Sequence, residues 1–312
     1  MIGSPSRVNP RRPLRVGYQL PEAEYVIRWP ELRRMAVLAE EIGLDSLWVG
    51  DHYLYRDHRG SLGVWEAWTQ LAAIAASTSR ITIGPLVAAT SFHQPAVIAK
   101  FASTLDEISG GRLVLGLGAG WNETEYRAYG FPFDHRVDRF EEAFTIIRTL
   151  LREGRIDFAG RYHTLRDCEL LPAGPRAEGP PLMVGSVGPR MLRITMPHVQ
   201  AWNAWFNYYG NTVEGLLPTR ALVDEACTAV GRDPASVERT VAVLLALEDR
   251  PVIRDFDRET CEPLRGSPDE VAQTLRAYAA AGIAEVQLVI DPNTPAGMER
   301  LVPILEHLDR GS

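Results

Sequence analysis

The chain has a single lysine, Lys100, and arginine carries nearly all of its positive charge. Cysteine is almost as scarce: Cys168, Cys227 and Cys261 stand far apart, odd in number and without C-x-x-C spacing. That excludes a disulfide framework or a thiolate zinc site and fits small buried hydrophobes in a reducing cytoplasm. Long apolar runs are missing, none reaching the roughly 18 residues of a membrane-spanning helix. Residues 1–15 are polar, basic and proline-containing, with no apolar stretch of the kind that drives secretion. A cytoplasmic protein is expected. No H-x-x-x-H, H-E-x-x-H or carboxylate cluster suggests a metal, and no G-x-S-x-G elbow suggests a serine hydrolase. A formal net charge of −7 argues against a sequence-independent nucleic-acid binder, because nothing offsets phosphate repulsion.

What is present is rhythm. The 312 residues are 46% hydrophobic and 23% charged, ordinary values for a soluble globular protein. Apolar runs at 15–20, 46–50, 81–88, 112–117, 182–184, 201–206, 239–247 and 285–290 read as buried strands. Helical periodicity follows them at 29–42, 64–77, 95–108, 137–151, 189–196, 218–230, 268–281 and 295–309. Residues 158–181, rich in proline and glycine, break the alternation and read as an insertion with a small hairpin. Eight strands each followed by a helix predict an α/β fold, a (β/α)8 TIM barrel with an insertion before strand five, as a single domain over 1–312. A doubly wound open sheet is the runner-up, but no G-x-G-x-x-G follows the first strand.

In such a barrel the chemistry sits where strands end. Asp51 and His52 follow strand two, 89–91 follow strand three, and Gly118, Ala119, Gly120, Trp121 and Asn122 follow strand four. Gly185, Ser186, Val187 and Gly188 follow strand five, and strand six carries Trp202, Asn203 and Trp205. Plainer readings compete with each. Asp51 and His52 suit a turn cap, and the glycines suit tight packing. The 185–188 loop either exposes backbone N–H groups to an anion or is only a turn. Trp202 and Trp205 suit ordinary core, while His93 and His135 suit loop anchoring.

The composite of Asp45-Ser-Leu-Trp-Val-Gly-Asp-His52, Gln94-Pro-Ala-Val-Ile-Ala-Lys100, Thr104-Leu-Asp-Glu-Ile-Ser-Gly-Gly-Arg112 and Leu115-Gly-Leu-Gly-Ala-Gly-Trp-Asn122 is far more specific than any one motif. With 125–133 and 139–142 added, residues 44–151 strongly resemble the bacterial luciferase-like oxidoreductases, the flavin- and deazaflavin-dependent barrel family. The likeness continues weakly into 181–203, and beyond about Phe206 it rests on barrel rhythm.

The resemblance implies a flavin-type ring across the strand ends, with its phosphate near Gly185, Ser186, Val187 and Gly188. It implies cofactor contacts at Leu86, Val87, Ala89, Ala119, Gly120 and Asn122, with a non-prolyl cis peptide at Leu86–Val87. The closest branch is the one using coenzyme F420, where the deazaflavin C5 exchanges hydride. There Asp51 and His52 match positions that contact the deazaflavin or substrate; they are the expected catalytic residues, and His52 is suited to donate or accept a proton. Sugar-phosphate dehydrogenases of that branch have an acidic residue where this chain has Trp121. A flat, hydrophobic small-molecule substrate against Trp121, Trp202 and Asn203 is expected instead. An FMN-dependent monooxygenase is the alternative, since the cofactor decides the reaction class; a non-catalytic flavin-binding barrel is the third. The resemblance also implies a homodimer paired through barrel helices. The segments 53–62, 158–181 and 207–217 are expected to line or cover the mouth.

Overall fold

A computed structural model describes residues 12–252 and 261–310; the expectation for the amino-terminal stretch lies, over 1–11, outside the described residues. The strands that sequence periodicity picks out assemble into one parallel sheet. They are β1 (Arg15–Gln19), β2 (Ser46–Val49), β5 (Thr82–Pro85), β6 (Ala88–Ala89), β7 (Leu115–Gly118), β10 (Leu182–Gly185), β11 (Ala201–Ala204), β12 (Glu238–Ala246) and β13 (Glu285–Asp291). Their order is β5-β2-β1-β13-β12-β11-β10-β7-β6. β5 and β6 are two pieces of one stave. Leu113 bridges Ile83, while Leu117 and Gly118 pair with Ala88 and Ala89, so both pieces run beside β7 and the barrel closes. The expected eight-stave barrel is present.

The helices fall close to their periodicities: α1 (Trp29–Glu41), α2 (Ala67–Ser77), α3 (Pro95–Ser109), α5 (Arg136–Glu153), α6 (Pro189–Thr195), α7 (Val213–Ala229) and α8 (Pro268–Ala280). The last periodic stretch is two helices, α9 (Pro295–Glu299) and α10 (Leu301–Arg310). α7 starts before the proline expected to open it, because the Thr212 side chain caps Gly215 N–H and tertiary packing tolerates Pro218 inside. Periodicity missed two short elements. One is the hairpin β3 (Leu54–Asp57) and β4 (Gly60–Gly63); the other is α4 (Glu123–Tyr129). The insertion holds the expected hairpin, but it begins earlier, as β8 (Arg155–Ala159) and β9 (Thr164–Glu169).

Volume sets the barrel interior. Trp48 projects inward from β2 and packs with Leu86, Val114, Met183 and Ala201. The two flanking staves make room with glycine: a Cβ at Gly84 would lie 2.8 Å from the Trp48 ring and one at Gly17 2.9 Å from its Nε1. Below it the interior is polar. Glu285 accepts from Ser46 Oγ at 2.6 Å, Trp48 Nε1 at 3.1 Å and Arg15 Nε at 2.9 Å. These donors satisfy a carboxylate that would otherwise be costly to bury. Higher up, Val87 fills the space over Gly116, Gly118 and Gly185.

Gly116→Ala is therefore expected to destabilise the protein by about 1–3 kcal/mol, since its Cβ would lie 2.3 Å from the Pro85 carbonyl oxygen and 2.8 Å from Val87. Gly63→Ala, whose Cβ meets nothing within 4 Å, is expected to stay within about 0.5 kcal/mol of wild type. Urea denaturation of both variants checks the pair.

Candidate active site

At the end of β2 the chain leaves the barrel through Asp51 and His52. Asp51 is 2% exposed. Its Oδ2 accepts the Ala89 N–H at 2.9 Å, while its buried Oδ1 has no partner. Burial pushes its carboxyl up to about 7, against the opposing pull of the Ala89 N–H and of His52. This carboxylate sits at the break between β5 and β6, where the Leu86–Val87 peptide is cis, as expected.

His52 is held from the other side by Glu125, a residue whose direction the sequence alone leaves open. Its Nδ1 lies 2.8 Å from Glu125 Oε1. Glu125 is completely buried, and its Oε2 accepts from Tyr53 N at 2.8 Å and Leu54 N at 3.4 Å. Asn122 caps α4 by accepting from Thr124 N and donates to the Leu54 carbonyl at 2.9 Å. Two side chains of one helix terminus thus clamp the segment after β2. Burial disfavours the imidazolium, but the hydrogen bond and charge of Glu125, with Glu22 and Asp51 adding, outweigh it and raise His52 to about 9. The imidazole packs against Tyr55, centroids 4.7 Å apart, and meets the edge of Trp121 at 5.7 Å. Trp121 is 47% exposed.

At the neighbouring strand ends, Val87, Ala119, Gly120 and the whole 185–188 loop are only partly covered. Gly120 is glycine for two reasons. Its φ is +75°, and a Cβ would lie 1.9 Å from the Tyr126 hydroxyl, which donates to the Ala119 carbonyl at 2.9 Å. Arg136 donates to the Gly120 carbonyl at 2.7 Å and lies over the Phe133 ring. In the 185–188 loop, Ser186 Oγ accepts the Gly188 N–H at 3.2 Å and the Ser186 carbonyl accepts Trp202 Nε1–H at 2.7 Å.

The structure brings Asp51, His52, Leu86, Val87, Ala89, Ala119, Gly120, Trp121 and the 185–188 loop to one end of the barrel. Four residues expected to touch cofactor or substrate are engaged by the protein itself. Trp202 is completely buried: strand alternation sends it outward into the main core while Ala201 and Asn203 point inward, so it steadies the Ser186 loop and offers no face to substrate. Asn203, 3% exposed, donates to Thr240 Oγ1 and Gln287 Oε1 inside the barrel. The Asn122 side chain is committed at both ends to capping α4 and holding Leu54. A Cβ at Gly185 would lie 3.1 Å from both Val87 methyls, so packing against Val87 favours glycine there. Of the plainer readings, His93 is a loop anchor, its Nε2 lying 3.2 Å from the Tyr53 hydroxyl. The signal that could have found Glu125 is its place three residues after the cap Asn122, the capping-box spacing. Here the glutamate turns instead to β2.

The profile of the family described as luciferase-like monooxygenase matches residues 13–252, and the chain belongs to that family. The F420-dependent glucose-6-phosphate dehydrogenase of Amycolatopsis mediterranei (strain U-32) is 32% identical over 245 residues, covering 75% of this chain and 70% of that protein. The pyrimidine monooxygenase RutA of Cronobacter sakazakii (strain ATCC BAA-894) is 36% identical over 177 residues, 55% of this chain and 51% of that protein. Among solved structures, an F420-dependent secondary alcohol dehydrogenase in complex with an F420-acetone adduct superposes with a TM-score of 0.79 at 20% identity. It covers 95% of this chain and 99% of its own, a likeness of fold. The named kin are dehydrogenases and monooxygenases, all oxidoreductases.

The buried, half-satisfied Asp51 carries a stability cost whose sign follows from its raised value. Below about pH 4 the group is protonated in both folded and unfolded chains and contributes nothing. Between the ordinary 3.8 and about 7 the unfolded chain releases the proton first, so stability falls as pH rises, and the penalty is full above 7. Asp51→Asn, which can still accept from Ala89, is expected to stabilise the protein at pH 8 by on the order of 2–4 kcal/mol. The gain should vanish toward pH 4. Thermal unfolding of both proteins across that range checks it.

Proposed function

We propose that this luciferase-family chain is a coenzyme F420-dependent oxidoreductase acting on a small, largely apolar organic substrate at the mouth of its barrel. The observation that carries this reading is the His52–Glu125 pair, 2.8 Å apart, beside Asp51 and the cis Leu86–Val87 peptide. The F420-dependent relative at 32% identity supports the choice of cofactor.

The residues fit such a group. Asp51 Oδ1 is a buried polar atom with no protein partner, a condition costing roughly 1–3 kcal/mol unless something bound meets it. Leu86 and Val87 supply a wall, and the backbone at Ala89, Ala119 and Gly120 frames it. The 185–188 loop, fixed from behind by Trp202 and from within by Ser186 Oγ, offers partly covered backbone for the polar tail. When bound, the deazaflavin supplies hydride chemistry at C5. The chain supplies the rest: Trp121 offers a flat, half-exposed face for an apolar substrate, and His52 holds a proton at the imidazole nitrogen that Glu125 does not occupy.

The partner is read as a small molecule, with neither nucleic acid nor membrane surface involved. No helix among the described residues is long and apolar enough to cross a membrane. A cytoplasmic location and a homodimer paired through barrel helices complete the proposal. An apolar groove between α2 and α3, lined by Trp68, Phe101, Leu105 and the exposed Ile108, supports the pairing.

Titration of the purified protein with F420 and with FMN, followed by absorbance, tests the cofactor: tighter binding of F420 is expected. Preference for FMN replaces this reading with the monooxygenase one, and retention of neither with the non-catalytic barrel. With F420 bound, His52→Ala is expected to lower kcat by about 10²–10⁴-fold, as checked by stopped-flow oxidation of the reduced cofactor.

A further inference from the structure

We propose a second binding site at the end of the barrel opposite the mouth, formed by Arg148, Arg152, His198 and Arg232. It takes a small molecule carrying a phosphate group, and it stands independently of the cofactor reading.

Residues 196–200 lead from α6 into the start of β11, the end of the strand away from the mouth. Phe144, Arg148 and Arg152 recur every four residues along α5 and therefore share one face of that helix. Both ends of this row meet His198. The Phe144 ring lies 6.1 Å from the imidazole, and Arg152 Nη2 donates to the His198 carbonyl at 3.3 Å. Arg148, between them, is turned to the same residue. From the other side Arg232, just beyond the end of α7, donates to the Met196 carbonyl. Three guanidinium groups thus converge on one short segment. Burial, and then the charges of all three, hold the imidazole below its ordinary value.

No carboxylate answers them. Among the described residues none of the three arginines has an ion-pair partner. Asp224 and Asp233, the acids of this corner, are committed to Arg239 and to the Ala235 N–H. Arg148 makes no hydrogen bond at all, and its Nε is buried without an acceptor, a costly state for a charged donor. The plainer role for such arginines is to offset the carbonyl ends of α5 and α7. Each end is worth roughly half a negative charge, so about two of the three positive charges stay unmatched. A phosphate monoester carries about two negative charges at neutral pH, whereas a carboxylate carries one. The planar guanidinium fork also pairs its N–H groups with adjacent oxyanion oxygens. The His198 ring nitrogens make no hydrogen bond among the described residues and add a further donor. All four side chains are partly exposed, so the position is open to a ligand from solvent.

The probe is inorganic phosphate, added at constant ionic strength to the full chain without cofactor. Binding is read by NMR of ¹⁵N-histidine-labelled protein, with the His198 signal assigned by its loss in His198→Gln. A saturable shift of that signal is expected. The His198 midpoint is expected to rise when phosphate is bound, because the anion offsets the charges of Arg148, Arg152 and Arg232. Since Arg148 makes no hydrogen bond within the protein, Arg148→Gln is expected to fold and to bind phosphate about tenfold more weakly. Arg152→Gln, a second and separate variant, is expected to weaken binding likewise. Chloride and acetate at the same ionic strength are expected to leave the His198 signal nearly in place. No saturable response overturns the site, as does binding undiminished in both variants. A response to chloride or acetate equal to that for phosphate overturns the ligand class. Phosphate binding that leaves His198 unmoved lies elsewhere on the molecule and overturns the site as well.

Discussion

A carboxylate with no exposed surface must be satisfied by the protein around it, and the architecture of the mouth follows from how Glu125 meets that requirement. Its two oxygens take one imidazole nitrogen and two backbone N–H groups, all from the five residues after β2. α4 and the β2 exit thereby become one unit, although some seventy residues separate them. The same contacts that anchor the helix fix the tautomer and orientation of His52. Support of the helix and orientation of the imidazole are one interaction here, added to the Asn122 cap and the burial of Tyr126.

The second constraint is volume. A barrel interior is a packed core, and bulky branched side chains commonly fill it in layers. This barrel gives much of that space to Trp48 and, above it, to Val87, both accommodated by glycines on nearby staves. Val87 reaches inward from a stave interrupted at the cis Leu86–Val87 peptide, so the break between β5 and β6 belongs to the packing of the interior. Its upper surface, only partly covered, becomes part of the mouth. The glycines of 116–120 and 185 thus answer mainly to neighbouring side chains and turn geometry. Glycine-rich loops in a sequence signal close approach without saying what approaches.

How much of this was legible in the sequence varies by residue, for physical reasons. Asp51 and His52 end an apolar strand abruptly, and a barrel topology places such residues at one rim; both lie there. Trp202 and Asn203 were assigned to the same rim because they lie near a strand end. Alternation along that strand depends on one registration, which turns Trp202 outward and Asn203 inward. Glu125 carried a capping-box spacing that a local reading explains completely, and only the approach of a distant strand gives it another role. α4 and the β3–β4 hairpin were missed because each is too short for a hydrophobic period to rise above its surroundings.

The amino-acid order by itself determined the alternation of buried strands and amphipathic helices, hence a closed parallel barrel, and the family to which its strand-end motifs belong. Those properties are local, written in periodicity and in short runs, and survive without knowledge of what packs against what. Only the tertiary structure decided which strand-end residues share the opening, which are consumed as supports, and which carboxylate charges the histidine. Those outcomes depend on contacts between segments far apart in the chain, where a shift of one residue in register reverses the direction a side chain faces.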